Sequence, residues 1–255
     1  MDESKRIPLI RCGSGDPVEA LDHVAVEEPL EIRLDGHPVA VVMRTPCHDE
    51  ELAAGFLVTE GIVSNVGQVR KIEPRPEENR VLVFLEDGVP VDLGRLTRHL
   101  FTGSSCGLCG KATLEAVFSE FPPITRPMSV ADAVLRDAPE LLREAQGSFQ
   151  TTGGLHAAGV FSGAGCLLVA REDIGRHNAV DKVVGHALLN DIDLAETFLL
   201  VSGRVSFEIM QKALAARIPA VAAISAPSSL AVEFAKKSGQ SLVGFLRPPT
   251  FNRYA

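Results

Sequence analysis

Runs and alternations of apolar residues divide the chain into stretches of different character. Near the start, Glu31-Ile32-Arg33-Leu34, a turn at Asp35-Gly36, and Val39-Ala40-Val41-Val42-Met43 predict two strands and a short hairpin. A helix is predicted over residues 50–60, capped by Asp49, with Leu52, Ala53, Phe56 and Leu57 on one apolar stripe and Gly61 ending it. Residues 69–73 and 81–85 read as two more strands around a Pro- and charge-rich loop. Residues 1–25 carry no such pattern and are expected to be loosely ordered. Residues 1–101 thus read as a small α+β domain. Between 102 and 111 periodicity disappears, and helical patterns return at 113–118 and 129–146, so 102–150 is expected to be a mobile loop with connecting helices.

Beyond residue 151 the pattern becomes regular. A hairpin is expected from 155–161 and 166–171 around Gly163-Ala164-Gly165. Helices over 176–189, 206–217 and 229–237 then alternate with apolar strands over 198–201, 220–224 and 241–246. Such alternation predicts an α/β layer with a buried, mostly parallel sheet over 151–255.

Composition removes several function classes. A hydrophobic content of 45% supports a sizeable core without disulfides or a structural metal. Lysine plus arginine total 25 against 33 acids, a net charge of -8, which argues against nucleic-acid or anionic-membrane partners. Trp is absent and aromatics are 5%, so a base-stacking platform is not expected. The charged start MDESKRIPLI has no signal-peptide apolar run, and no stretch reaches the ~18 apolar residues of a spanning helix, so a cytoplasmic location is expected. Five cysteines at irregular positions fit thiols of a reducing compartment better than a disulfide framework.

The sharpest chemical signal is Cys106-Gly107-Leu108-Cys109 within TGSSCGLCGK. Structural zinc would want a second closely spaced pair, and Cys12, Cys47 and Cys166 are solitary. A thioredoxin-like dithiol would sit at a strand-to-helix junction of a βαβ unit, whereas this pair lies among Gly103, Gly107 and Gly110. A helix starting near Lys111 would favour the thiolate at both cysteines. Two buried structural cysteines would not suit so polar and glycine-rich a setting.

Further polar groups cluster where apolar strands end. Arg171-Glu172-Asp173-Ile174-Gly175-Arg176-His177-Asn178 leads into a helix, as does Val201-Ser202-Gly203-Arg204-Val205-Ser206, and Ser225-Ala226-Pro227-Ser228-Ser229 is a third such turn. Each also reads as simple helix capping, by Asp173, Ser206 or their neighbours. Strand ends of one sheet share an edge, the usual ligand position in α/β sheets, so together these turns predict a nucleotide-sized pocket. His156, in Thr152-Gly153-Gly154-Leu155-His156, reads either as a pocket histidine or as a satisfied sheet histidine.

The segments TGSSCGLCG, TGGLHAAGVF, REDIGRHNAVDKVVG, VSGRVSFEIMQKA and AISAPSSLAVEFAKKSGQSLVGFLR, in this order over residues 30–255, resemble the formate dehydrogenase accessory sulfurtransferase family (FdhD). The resemblance implies a small N-terminal domain and a cytidine-deaminase-like α/β domain. It also implies transfer of sulfur from a cysteine desulfurase to the molybdenum bis(molybdopterin guanine dinucleotide) cofactor before that cofactor enters formate dehydrogenase. By position, Cys106 matches the persulfide-forming cysteine and Cys109 its partner. Phe245-Leu246-Arg247-Pro248-Pro249-Thr250 matches the cofactor-contacting segment, although two prolines here remove two N–H donors.

Arg176, His177, Asn178, Ser202, Arg204 and Ser228 are the further candidate contacts to the guanine nucleotide ends. The two-ended ligand implies a homodimer. Deamination itself is not expected: the residue after His156-Ala157 is Ala158 rather than glutamate, and the cysteine pair precedes the histidine. Two other activities stay open on the residues alone, a non-catalytic molybdenum-cofactor chaperone and a dithiol oxidoreductase.

Overall fold

The computed structural model describes residues 3–90 and 114–255. The chain opens with β1 (Ser4–Arg11) and β2 (Val18–Ala25), an antiparallel ribbon of two strands. Next come β3 (Glu28–Leu34), β4 (His37–Arg44), helix α1 (Asp49–Thr59), β5 (Val69–Arg75) and β6 (Arg80–Leu85), whose strands form a sheet of order β4-β3-β6-β5. Helices α2 (Leu114–Glu120), α3 (Asp132–Glu144) and α4 (Gly147–Thr152) lead to β7 (His156–Ser162) and β8 (Leu167–Asp173). Then α5 (Arg176–Leu189), β9 (Thr197–Val201), α6 (Phe207–Ala215), β10 (Ala220–Ala223), α7 (Ser229–Ser238), β11 (Ser241–Arg247) and β12 (Thr250–Arg253) complete the chain. The second sheet has six strands in the order β12-β11-β10-β9-β7-β8.

Three expectations need correction. The large sheet is mixed rather than mostly parallel: β9, β10 and β11 are parallel, but β7 runs antiparallel to β8 and β9, and β12 antiparallel to β11. Connection length explains this, since neither the 163–166 turn nor Pro248-Pro249 leaves room for a crossover helix. Residues 4–25 are an ordered ribbon, held by a backbone ladder from Ser4↔Ala25 to Arg11↔Val18. Its side chains stay largely exposed, Ile10 at 67%, so burial left no periodic trace in the sequence. Asp49 does not cap α1: His48 takes that position with φ 59°, and the Asp49 carboxylate is gripped by Arg44 at 2.8 and 3.0 Å.

Two layers of packing build the core. In the N-terminal half, Leu30, Ile32, Val81 and Val83 pack beneath Leu52, Phe56 and Leu57 of α1. The six-stranded sheet carries α5, α6 and α7 on one face, where Val160, Val183, Leu199, Met210 and Phe234 meet. Its other face is covered by α3, through Leu135 and Leu142 against Phe161, Phe198, Leu200 and Val243.

The two halves join where α1 crosses α5. A Cβ at Gly55 would lie 1.9 Å from the Asp181 carbonyl oxygen, and one at Gly185 would lie 1.8 Å from that of Glu51. The helices therefore touch backbone to backbone, and only glycine permits it. Around this contact, Arg171 grips Glu51 at 2.6 and 2.7 Å, and Lys212 bridges Asp181, Glu60 and Thr59. Gly55→Ala or Gly185→Ala gains roughly 1 kcal/mol of helix propensity but forces two backbones apart. Each should lower stability by about 1–3 kcal/mol net, read as a drop in the urea midpoint at unchanged m-value.

Candidate functional site

The pairings His156↔Asp173, Ala158↔Val201, Ala223↔Val201 and Ala222↔Val243 bring the start of β7 and the ends of β8, β9, β10 and β11 to one sheet edge. The polar turns singled out in the sequence are therefore neighbours. Their common support is the fully buried carboxylate of Asp173. It accepts from the backbone N–H of Thr45 (3.1 Å) and Gly175 (2.8 Å) and from the Asn178 amide (2.9 Å), and it pairs with the Lys182 ammonium at 2.7 Å. Lys182 also donates to the Thr45 carbonyl, and Thr45 Oγ1 accepts from the Ile174 N–H. One acid thus fixes the start of α5 against the β4–α1 loop.

A cavity of about 650 Å³ opens at this edge, within the range usual for small-ligand sites. Its apolar wall is Pro139, Phe149, Leu155, Ile224, Leu246 and Pro248, and its polar lining includes Arg143, Gln146, His156, Ser202 and Arg247. A hollow of comparable size, about 700 Å³, lies on the β1–β2 ribbon, but it gathers no polar groups from other elements and is the weaker candidate.

Four of the predicted contacts line the cavity: Ser202, Leu246, Arg247 and Pro248. Ser202 Oγ accepts from the Ala157 N–H at 2.9 Å, and Arg247 Nε donates to the Ile224 carbonyl at 3.1 Å. Phe245, 40% exposed, sits at an irregularity of β11 with φ 50°, while exposed Pro249 lies in the turn before β12 and exposed Thr250 begins that strand. Ser228 is occupied as the cap of α7, accepting from the Ala231 N–H, and Asn178 is committed to Asp173 and the Met43 carbonyl. Arg204 is exposed in the turn after β9. Arg176 and His177 open α5, and buried Arg176 Nε and His177 Nε2 have no hydrogen-bond partner among the described residues. Cys106 and Cys109 lie outside the described residues.

Sequence reasoning missed the contribution of α3 and α4. Arg143, Gln146 and Phe149 come from a region expected only to connect. Glu172 of β8 accepts from the Ser148 and Phe149 N–H at 2.9 and 2.8 Å, which seats α4 and its aromatic ring over the opening. The available signal was Phe149 just ahead of Thr152-Gly153-Gly154.

The edge is electrostatically unlike the whole. Arg143, Arg176, Arg204 and Arg247 gather there from four separate segments of a chain whose net charge is -8. Of the acids nearby, Glu140 is paired with Arg143, Asp173 with Lys182, and Glu208 faces Arg176 and His177. Burial, reinforced by Arg176 and Arg204 against the opposing pull of Asp173, holds His156 below its ordinary value. Burial beside Lys212 and Arg176 pushes His177 down to about 4. Both rings are neutral near pH 7.

A family model described as the FdhD/NarQ family matches residues 25–255. A Streptomyces coelicolor protein named sulfur carrier protein FdhD is 48% identical, over 99% of this chain and 94% of that protein. A Saccharolobus solfataricus protein of the same name is 42% identical, over 98% and 95%. Among solved structures, a Desulfotalea psychrophila protein assigned as a formate dehydrogenase accessory protein superposes with a TM-score of 0.81, at 28% identity over 99% of this chain and 97% of that one.

The buried histidine gives a pH prediction. With its folded value depressed, His177 contributes stability fully above the unfolded value near 6.5 and loses it as pH falls towards 4. Asp181, pushed up to about 6 by burial, has the opposite slope, but it is common to both proteins compared. Between pH 7 and 4.5, wild type should lose roughly 2–3 kcal/mol more than His177→Gln, measured by urea denaturation at each pH.

Proposed function

The chain belongs to the FdhD/NarQ family, and from that premise we propose that it is a cytoplasmic sulfur carrier serving the molybdenum bis(molybdopterin guanine dinucleotide) cofactor of formate dehydrogenase. Cys106 is the carrier residue. Its thiolate attacks the terminal sulfur of a cysteine persulfide on a desulfurase. A new S–S bond forms at Cys106, the donor S–S bond breaks, and the donor leaves as a thiolate. For delivery, the Cys109 thiolate attacks Cys106 Sγ. The terminal sulfur leaves as hydrosulfide to the metal centre, and a Cys106–Cys109 disulfide remains for a cellular dithiol to reduce.

The observation that supports cofactor binding is a cavity with an apolar wall that Arg143 and Arg247 line, with Arg176 and Arg204 beside His156 at its rim. A nucleotide end of the cofactor offers what that edge lacks: a planar heterocycle for Phe149, Leu155 and Pro248, and a diphosphate for the guanidinium groups. Two such ends per cofactor suit a homodimer presenting two equivalent edges. The same reading takes residues 151–255 as a deaminase-like scaffold, 1–101 as a separate small domain, and 102–150 as the carrier loop with its connecting helices. The antiparallel β7–β8 hairpin beside parallel β9–β10–β11 supports the scaffold assignment.

The decisive measurement is intact mass after incubation with a cysteine desulfurase, cysteine and pyridoxal phosphate. Wild type and Cys109→Ala should each gain one reductant-labile sulfur atom, and Cys106→Ala none. Cys109→Ala should then hold its sulfur when wild type releases it. Loading of Cys106→Ala would overturn the carrier assignment. Binding of guanine nucleotide with no sulfur on any variant would move the reading to a cofactor chaperone, and equal loss in both cysteine variants to a dithiol oxidoreductase.

A further inference from the structure

His156 lines the cavity, and the proposed function gives it no role. It begins β7, and its cross-strand partner is Asp173. The half-buried ring makes no hydrogen bond to another described residue and is open to solvent or a ligand. One side of the residue lines the cavity. On the other side, the ring packs over the bare face of Gly203: a Cβ there would lie 3.3 Å from His156 Nδ1 and 3.7 Å from Arg176 Cβ. The next residue along the same turn is Arg204. An imidazole therefore stands between an apolar cavity and the guanidinium groups of Arg176 and Arg204, and the buried Nε of Arg176 has no hydrogen-bond partner among the described residues.

Three charged groups act on this ring: Asp173 across the β7–β8 ladder, Arg176 of α5, and Arg204 of the turn after β9. Burial weighs most against the charged ring, Arg176 and Arg204 add to it, and Asp173, already shared among Lys182, Thr45, Gly175 and Asn178, opposes them only in part, so the neutral ring is favoured. A diphosphate beside Arg176 and Arg204 reverses that balance. Its two negative charges offset the two guanidinium groups, and a phosphate oxygen against the ring accepts more strongly from the charged form, which favours the imidazolium.

We propose that His156 takes up a proton from solvent when the diphosphate of a bound nucleotide settles beside Arg176 and Arg204, and that the resulting imidazolium N–H donates to a phosphate oxygen. This rests on the reading of the edge as the site for a nucleotide end of the cofactor, and it makes cofactor retention at that site sensitive to pH. His156 then touches the ligand directly, and grip tightens as pH falls.

The test uses the full chain and GDP-mannose, a nucleotide whose two phosphates are both esterified and do not titrate between pH 5.5 and 8. Calorimetry in buffers of different ionisation enthalpy counts the protons taken up. Wild type should take up a substantial fraction of one proton near pH 6.5, with affinity rising roughly three- to tenfold from pH 7.5 to 6. His156→Gln should still bind, with no uptake and a flat pH profile. In the wild type alone, NMR of the 7 histidines should show one ring whose titration midpoint rises by at least one pH unit on ligand addition. Binding without proton uptake, uptake that survives in His156→Gln, or no histidine midpoint that moves would overturn the proposal while leaving the cavity as a nucleotide site. Failure of both GDP-mannose and GDP to bind wild type would overturn the cavity reading itself, and this inference with it.

Discussion

The sheet edge depends on a single buried carboxylate. Asp173 has no exposed surface, and an uncompensated charge at such depth would be untenable, so its four partners are a requirement of the fold. Those partners come from three places: the Thr45 backbone in the N-terminal half, the Gly175 turn, and Asn178 and Lys182 on α5. The same contacts that neutralise Asp173 set where Arg176 and His177 emerge. Because Asn178 also reaches the Met43 carbonyl, the start of α5 is tied to β4 as well as to β8. Site geometry and the joint between the halves are thus a single structural problem with a single solution.

The glycine seam and the buried ion pairs complete that solution. Helices as close as α1 and α5 have no room for side chains between them. Polar groups displaced from the contact are collected at its flanks, in the Arg171–Glu51–His186 and Lys212–Asp181–Glu60–Thr59 groups. Lys212 is 4% exposed and Asp181 2%; Lys212 compensates Asp181, and Asp181 and Glu60 together compensate Lys212. The charges fix register between the halves more than they add stability, since a well-packed apolar replacement could fill the same volume.

Much of the C-terminal half was legible because its strands are short apolar runs punctuated by turn residues. Residues 176–189 were read as a helix and form α5 over that span, and 198–201 fall within β9. Legibility failed where ordering does not come from burial. The β1–β2 ribbon is held by its backbone ladder, and β12 follows two prolines that read as the end of regular structure. Asp49 looked like a cap because capping is the local use of an aspartate before a helix. Its actual partner, Arg44, is made available by the hairpin that precedes it. The candidate site was half legible for a related reason. Turns after successive strands share an edge by topology alone, so Ser202, Arg204 and Arg176 could be grouped from sequence. Arg143, Gln146 and Phe149 arrive from α3 and α4 by packing across the sheet, and no local pattern encodes that.

An acidic protein with a basic edge separates two tasks that charge can serve. The overall charge of -8 discourages non-specific attachment to polyanions, while arginines gathered at one edge can still attract a small anion at short range. Arg143, Arg204 and Arg247 are exposed, so each contributes little alone and is weakened by salt. On the proposed reading, grip on a ligand comes from several modest contacts plus an apolar wall, rather than from one desolvated pair. That arrangement suits a protein proposed to hold a cofactor only until sulfur has been delivered.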